Sequence, residues 1–499
     1  MTLAERISKS IYDHREHPAF CIAETFYTYE QLALSVSGIR ERIQQQIPEG
    51  ALHIGLVAND DLETYASIIA LWLEGKAYVP IHPKSPIERN RTILELTETP
   101  FVLDSSETSA YQDPYTVLPT TGCTGSQLIL GATSFDQERI AYILFTSGTT
   151  GVPKGVPITF TNINAMMNAL DTRGFILKPE DKSLQMFDLT FDFSLATYLP
   201  ALLYGACSYT IPHKELKYFY IFKLLHRHQL TILTMVPSII RYLRPYFAEI
   251  KATTVRWSSF GGGALHEDVA LEWYDCIPNA QIYNFYGPTE FSCYTSYYEV
   301  NRNGGNSSRN GIISMGKPLP GVRVAIADTE KNTLLPNNAE GELCLAGVQL
   351  TPGYWKNEER NAKSFFTVEV DGIEARFYRT GDLATFDPDG NLLFLGRADF
   401  QAKIQGYRVE LDEIEFHAKS QLGKRNAVAL IYQNKLGHDE IGLVIEGDPI
   451  GLSDVEAYMK AQMPPYMIPS QTHFVKTFPM SMNQKIDRKQ LKLLFIPGE

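Results

Sequence analysis

Between Leu144 and Gly155 the chain sets Thr146, Ser147, Gly148, Thr149, Thr150, Gly151 and Lys154 in close succession, directly after an apolar, strand-like run at 140–145. Glycines let successive backbone N–H groups point into one concavity, hydroxyls donate further hydrogen bonds, and a lysine adds a mobile positive charge. This is the chemistry of a phosphate holder. It is not a Walker P-loop, because Lys154 is followed by Gly155 where that motif needs Ser or Thr. An ordinary polar turn is the competing reading of any glycine-rich loop taken alone.

Further stretches carry chemistry of the same kind. Asn284, Phe285, Tyr286, Gly287, Pro288, Thr289 and Glu290 follow an apolar run at 280–283. They offer a ring to stack on, a tight turn, a hydroxyl and a carboxylate, which suit a base, a phosphate and the Mg²⁺ that accompanies it. A polar turn after a strand is the plainer alternative. Tyr378-Arg379-Thr380-Gly381-Asp382 places a carboxylate just past a glycine, where it can accept from ribose hydroxyls. The dense polar stretch 396–410 reads as a hinge or as a solvated linker, and 483–489 as a charged surface turn unless something else claims it.

These residues must be held by a sizeable frame. A chain of 499 residues with 44% hydrophobic and 20% charged residues is globular and too long for one core. From about 50 to 285, short apolar runs (53–57, 77–81, 231–235) alternate with amphipathic segments (62–73, 237–243), the pattern of βαβ units on parallel sheets. After about Gly311 the texture becomes strand-rich, with runs at 322–326, 341–346, 377–386 and 391–395 between Gly, Pro, Asn and Asp turns. The last hundred residues start afresh near Asp399, with helix candidates at 411–422 and 453–463 and a strand at 427–432. The expected architecture is a large α/β domain, 1–398, of parallel sheets with a β-barrel-like subdomain at about 311–398, and a small, mobile carboxy-terminal α+β domain, 399–499.

Composition narrows the function class. The net charge of -12 argues against non-specific nucleic-acid binding, which depends on Lys and Arg neutralising phosphates. No apolar run approaches the roughly 18–20 residues of a membrane span. The amino terminus opens like a polar amphipathic helix and not like a signal peptide. Cys21, Cys123, Cys207, Cys276, Cys293 and Cys344 are scattered without a C-x-x-C pair, so a reduced, cytoplasmic protein is expected, with no disulfide frame and no cysteine metal site.

Taken together, the blocks Thr-Ser-Gly-Thr-Thr-Gly-x-Pro-Lys-Gly, Asn-x-Tyr-Gly-Pro-Thr-Glu, Tyr-Arg-Thr-Gly-Asp, Gly-Arg-x-Asp and Asn-x-Lys-Ile-Asp-Arg, in this order, resemble the adenylate-forming superfamily over nearly the whole chain. Within it the chain looks like the amino-acid-activating branch, the adenylation domains of non-ribosomal peptide synthetases, and especially the stand-alone D-alanine:carrier-protein ligases. The stretch from Asp399 to His417, with Tyr466-Met467-Ile468-Pro469, is close to the pattern of those ligases.

The resemblance implies a reaction and its residues. ATP and a carboxylate give an acyl-adenylate and pyrophosphate, and the acyl group then passes to the thiol of a phosphopantetheine arm. It puts Thr146, Ser147, Gly148, Thr149, Thr150 and Lys154 on the ATP phosphates, and Asn284, Phe285, Tyr286, Gly287 and Pro288 along the nucleotide. Thr289 falls on the α-phosphate and Glu290 on Mg²⁺. Asp382 falls on the ribose, with Phe394 and Arg397 in the nucleotide site and Asp399 at the hinge. Lys485 is the implied catalytic cation between the carboxylate and the α-phosphate, beside Thr289 and Glu290. For the acyl substrate, the segment Phe191-Asp192-Phe193-Ser194 matches the one in which an Asp pairs with the α-ammonium group, with Phe193, Ala196, Ser238, Ser259, Gly261, Phe285, Cys293 and Tyr294 as the other pocket positions.

A small amino acid (alanine, glycine or serine) is the expected substrate, and a carrier protein on a separate chain the expected acceptor. The chain departs from the D-alanine ligases at Gly261, where they carry a cysteine, and at Tyr294, which is bulkier than their usual residue. Enantiomer and side chain therefore stay open. An acyl- or aryl-CoA synthetase would keep the ATP site without needing Asp192, and a plain reading of Asp192 is a cap on a helix starting at Ser194. A non-catalytic nucleotide-binding protein would release no pyrophosphate.

Overall fold

The computed structural model describes residues 1–499 except 148–151, 337, 371, 399–400, 405, 424, 436, 481–485 and 496–499. Two compact units emerge. The first comprises 1–83, 94–144 and 155–398, and the second 84–93, 145–154 and 399–499.

Local chemistry accounts for where elements begin. Thr2 and Glu5 form a reciprocal capping box at the start of the helix Leu3–Asp13, which buries Leu3, Ala4, Ile7 and Ile11 along one stripe. Asp61 caps the helix Leu62–Leu73, its carboxylate accepting from the Thr64 N–H at 2.9 Å. That helix is apolar nearly all round, and it is buried nearly all round.

Parallel strands His53–Val57, Ala77–Ile81, Phe101–Asp104 and Thr116–Pro119 join Ile140–Thr146 and Lys154–Thr159 in a six-stranded sheet. A nine-stranded sheet has a parallel centre of Pro18–Ile22, Cys207–Thr210, Lys182–Gln185, Ile232–Met235, Trp257–Phe260 and Gln281–Tyr286. Its edges are antiparallel, Thr25–Thr28 at one side and Ser296–Glu299 with Lys317–Pro318 at the other. The hairpin edge Pro18–Thr28 carries too short an apolar signature to stand out in the sequence. A third, six-stranded antiparallel sheet spans Val322–Ala327 to Leu392–Arg397 and includes a strand, Phe365–Val370, beyond those expected.

In the second unit, the strands Ala427–Gln433, Asp439–Glu446 and Gln471–Val475 form a mixed sheet. The helices Leu411–Gln421 and Ser453–Gln462 share its core through Ile414, Ala418, Val455 and Met459. The expected α/β and α+β architecture is the one present. No helix of the described residues is long and apolar enough to cross a membrane.

Candidate active site

The strand Gln281–Tyr286 delivers Asn284 and Tyr286 to one end of the nine-stranded sheet. Immediately after it, a β-carbon on Gly287 would lie 1.9 Å from the carbonyl oxygen of Cys293, so only glycine permits the turn. Asn284 is buried and donates through Nδ2 to the carbonyls of Ser314 at 2.8 Å and Ile313 at 3.3 Å. Its Oδ1 has no partner among the described residues, which leaves an acceptor for an exocyclic amine.

Tyr286 donates its hydroxyl to Asp382 Oδ2 at 2.5 Å, and Arg397 donates to Asp382 Oδ1 at 2.6 Å and to the Thr380 carbonyl at 3.3 Å. Burial first, and the Asp382 charge second, push the Tyr286 phenol well above its ordinary range, so it stays a donor. An ionised carboxylate has about four lone-pair sites, so Asp382 keeps capacity for a further hydroxyl. Phe394, half-buried on the strand Leu392–Arg397, packs on the apolar cluster around Tyr286. Thus the blocks at 284–286, 380–382 and 397 converge, although the sequence separates them widely.

Glu290 lies on the short turn Thr289–Phe291 and is fully buried, with Thr289 half-buried beside it. Its Oε1 accepts from the Tyr354 hydroxyl at 2.6 Å, and that hydroxyl oxygen is 3.3 Å from the Tyr378 hydroxyl. Tyr354 gave no local sign of this role, because its partner is 64 residues away.

The residues that the resemblance assigns to the acyl substrate start on the helix Asp192–Tyr204. That helix begins at Asp192, its N-cap is Phe191, and no side chain caps it. Asp192 is therefore a first-turn residue, not the cap of a helix from Ser194. It is 6% exposed, and its charge adds to burial, the larger cause, in raising the phenols of Tyr78, Tyr142 and Tyr294. Next to it, the Phe193 ring meets Tyr294 edge-on at 5.4 Å, and Tyr294 stacks on Phe285 at 4.3 Å.

Ser259 shares a 2.8 Å hydrogen bond with Thr234, and Cys293 is buried in a left-handed conformation, φ 76°. A cavity of about 40 Å³ is walled in part by Ala196, Ser259, Phe285 and Tyr294. Ser238, half-buried on the helix Pro237–Leu243, is not part of that wall.

Within the second unit, Lys154 is buried and its ammonium lies 2.7 Å from Glu410 Oε1, which also accepts from Gln401 at 2.8 Å. Ser147 accepts from the Glu410 N–H at 3.0 Å and donates to the Arg408 carbonyl at 3.1 Å. The hydroxyl of Thr146 is buried without a partner among the described residues. Lys154 thus already holds a carboxylate, a partner that the loop composition did not reveal. Gly148, Thr149, Thr150, Asp399 and Lys485 lie outside the described residues.

Doubly layered parallel sheets, an antiparallel third sheet and a small α+β unit, with an Asn, a Tyr–Asp–Arg cluster and a buried Glu on the large unit, define the adenylate-forming fold. The family model described as AMP-binding enzyme matches residues 7–355, and the chain belongs to that family. It is 30% identical over 483 residues to bacitracin synthase 3 of Bacillus licheniformis, covering 94% of this chain and 7% of that protein. It is 29% identical over 480 residues to tyrocidine synthase 1 of Brevibacillus parabrevis, covering 93% of this chain and 42% of that one. The chain therefore spans less than half the length of these relatives. Among solved structures, the Vibrio cholerae adenylation domain AlmE in complex with glycyl-adenosine-5'-phosphate superposes with a TM-score of 0.84 at 25% identity, covering 99% of this chain and 97% of that one.

Proposed function

We propose that the chain activates a small amino acid with ATP as an aminoacyl-adenylate, releasing pyrophosphate, and then loads it onto the phosphopantetheine thiol of a carrier protein. The observation that carries this reading is Asp192, a buried carboxylate in the first turn of its helix, with Phe193 and Tyr294 beside it. A buried charge of this kind suits a substrate ammonium group, and a fatty or aryl acid has none. The likeness to a structure holding a glycyl-adenylate supports the same substrate class.

Asn284 supplies an acceptor for the adenine amine, Asp382 with Tyr286 and Arg397 receives the ribose, and Lys154 with its loop meets the phosphates. Glu290 fits Mg²⁺, a hard cation that takes carboxylate oxygen, and Tyr354 orients that carboxylate through Oε1. When bound, the ion would neutralise phosphate charge. Lys485 supplies the cation at the reacting oxygens. The first step brings two anions together, and a fixed cation there lowers a barrier that is mainly electrostatic.

The D-alanine:carrier-protein ligases are the finer comparison. The space above Gly261 is filled here by Phe193, which favours glycine or alanine of either hand over larger side chains. Amino-acid-dependent pyrophosphate exchange, run with both enantiomers of a panel and with fatty and aryl acids, tests the reading. Exchange with a small amino acid is expected, and exchange only with an acid lacking an amino group would reject it.

A further inference from the structure

Away from the residues assigned above, His82, Asp188 and His213 gather at one point of the first unit. Each stands just past the carboxyl end of a parallel strand: His82 after Ala77–Ile81, Asp188 after Lys182–Gln185, His213 after Cys207–Thr210. Asp60 stands likewise after His53–Val57. His82 and Asp60 come from the six-stranded sheet, Asp188 and His213 from the nine-stranded one. Carboxyl ends of parallel strands are where such sheets collect ligands.

The geometry is that of converging donors. One donor atom from each of His82, Asp188 and His213 lies within 4.8 Å of the others. Asp188 Oδ1 is 3.9 Å from His82 Nε2 and 3.7 Å from His213 Nε2, and the imidazole centroids are 4.9 Å apart. The other oxygen, Oδ2, faces Lys217 Nζ at 3.5 Å, so the carboxylate is held with one oxygen toward both imidazoles. Asp60 Oδ1 is 3.0 Å from His213 Nε2, while its Oδ2 accepts from the His213 backbone N–H. These side chains are mostly shielded from solvent, His82 at 20%, His213 at 15% and Asp188 at 9% exposure.

We propose that His82, His213 and Asp188 bind a divalent transition-metal ion of the zinc class that cross-links the two α/β sheets, with Asp60 beside His213 as a supporting carboxylate. Two imidazoles with carboxylates select such ions over Mg²⁺, which takes oxygen ligands. Tetrahedral zinc with bonds of about 2.0–2.1 Å sets neighbouring donors about 3.4 Å apart, and small side-chain rotations close the present spacing to that value. With neutral imidazoles, two carboxylates against one ammonium leave the cluster net negative, which favours a cation. Asp188 lies in the segment that leads into the helix Asp192–Tyr204, so the ion would also stiffen the entry to that helix. The site is independent of the Glu290 carboxylate and of the proposed ligase reaction.

The test uses the full chain, stripped by a chelator and titrated with Zn²⁺ by calorimetry without ATP, Mg²⁺ or amino acid, and with Co²⁺ as a spectroscopic probe. One ion per chain is expected, with micromolar or tighter affinity, a tetrahedral Co²⁺ spectrum and a raised melting midpoint. His82→Ala and His213→Ala should each weaken binding by at least about tenfold, while His226→Ala, a change at an exposed histidine outside the cluster, should bind as the wild type does. His82→Gln serves should an alanine variant fail to fold. No saturable binding, an all-oxygen octahedral Co²⁺ spectrum on the wild type, or affinity unchanged in the His82 and His213 variants would overturn the site.

Discussion

A β-carbon on residue 261 would lie 2.4 Å from Cζ of Phe193, so the ring of one residue occupies the space that the other leaves by being glycine. The two are complementary across the proposed acyl pocket, from the first turn of a helix and from the loop after a strand. The cysteine expected at this position in D-alanine ligases cannot be accommodated while Phe193 keeps this place.

Gly261→Cys should therefore overpack the pocket, lowering stability by about 1–3 kcal/mol and exchange with every amino acid at least tenfold. Adding Phe193→Leu should restore part of both losses. The measurements are urea denaturation and pyrophosphate exchange on the single and double variants. A single variant with wild-type values would reject the complementarity.

Asp192→Ala and Asp192→Asn both remove the charge proposed to meet the substrate ammonium. Loss of one partner of a buried ion pair costs about 3–5 kcal/mol. At about 1.4 kcal/mol per tenfold, amino-acid use should fall by about two to three and a half orders of magnitude. The first-turn position itself is worth only about 0.3–1 kcal/mol to the helix, so the Asn variant should fold and bind ATP normally. Wild-type amino-acid dependence in that variant would exclude the ammonium role.

Lys485→Ala should lower adenylate formation by about 10²–10³-fold with ATP affinity little changed. Transfer from pre-formed adenylate to a carrier thiol should survive, because only the first half-reaction is proposed to use the lysine. Comparing the two half-reactions on one preparation decides it, and equal loss of both would reject the assignment.

Gly287→Ala must displace backbone, since the nearest atom is the Cys293 carbonyl oxygen. Backbone cannot yield as a side-chain tip can, so the cost should reach about 2–3 kcal/mol, with a higher KM for ATP. Denaturation midpoints and ATP-dependent kinetics would show it, and a neutral substitution would contradict the turn geometry.

His417 is buried, and neither ring nitrogen has a partner among the described residues. Burial, and secondarily the Arg89 charge, hold its pKa below the ordinary value. The unfolded chain then binds the proton more readily, so this group's contribution is complete above about pH 6.5 and is lost as pH falls through the folded value. Denaturation across pH 5–8 should show stability declining on the acid side, and His417→Leu should flatten that slope. An unchanged slope would remove the role.

The sequence by itself determined what depends on neighbours along the chain. Strand and helix positions such as His53–Val57, Leu62–Leu73, Ala77–Ile81 and Pro237–Leu243 followed from hydrophobic period and end residues. Asn284, Tyr286, Glu290, Asp382 and Arg397 stood out because glycine turns and polar atoms cluster locally around them. Tertiary structure alone decided which distant groups meet. Tyr354 reaches Glu290, Lys154 pairs with Glu410, Phe193 fills the space over Gly261, and His82, Asp188 and His213 converge from two sheets. Each depends on strand order and loop path, and buried charge and packing act through space at a few ångströms, a distance that residue spacing along the chain does not encode.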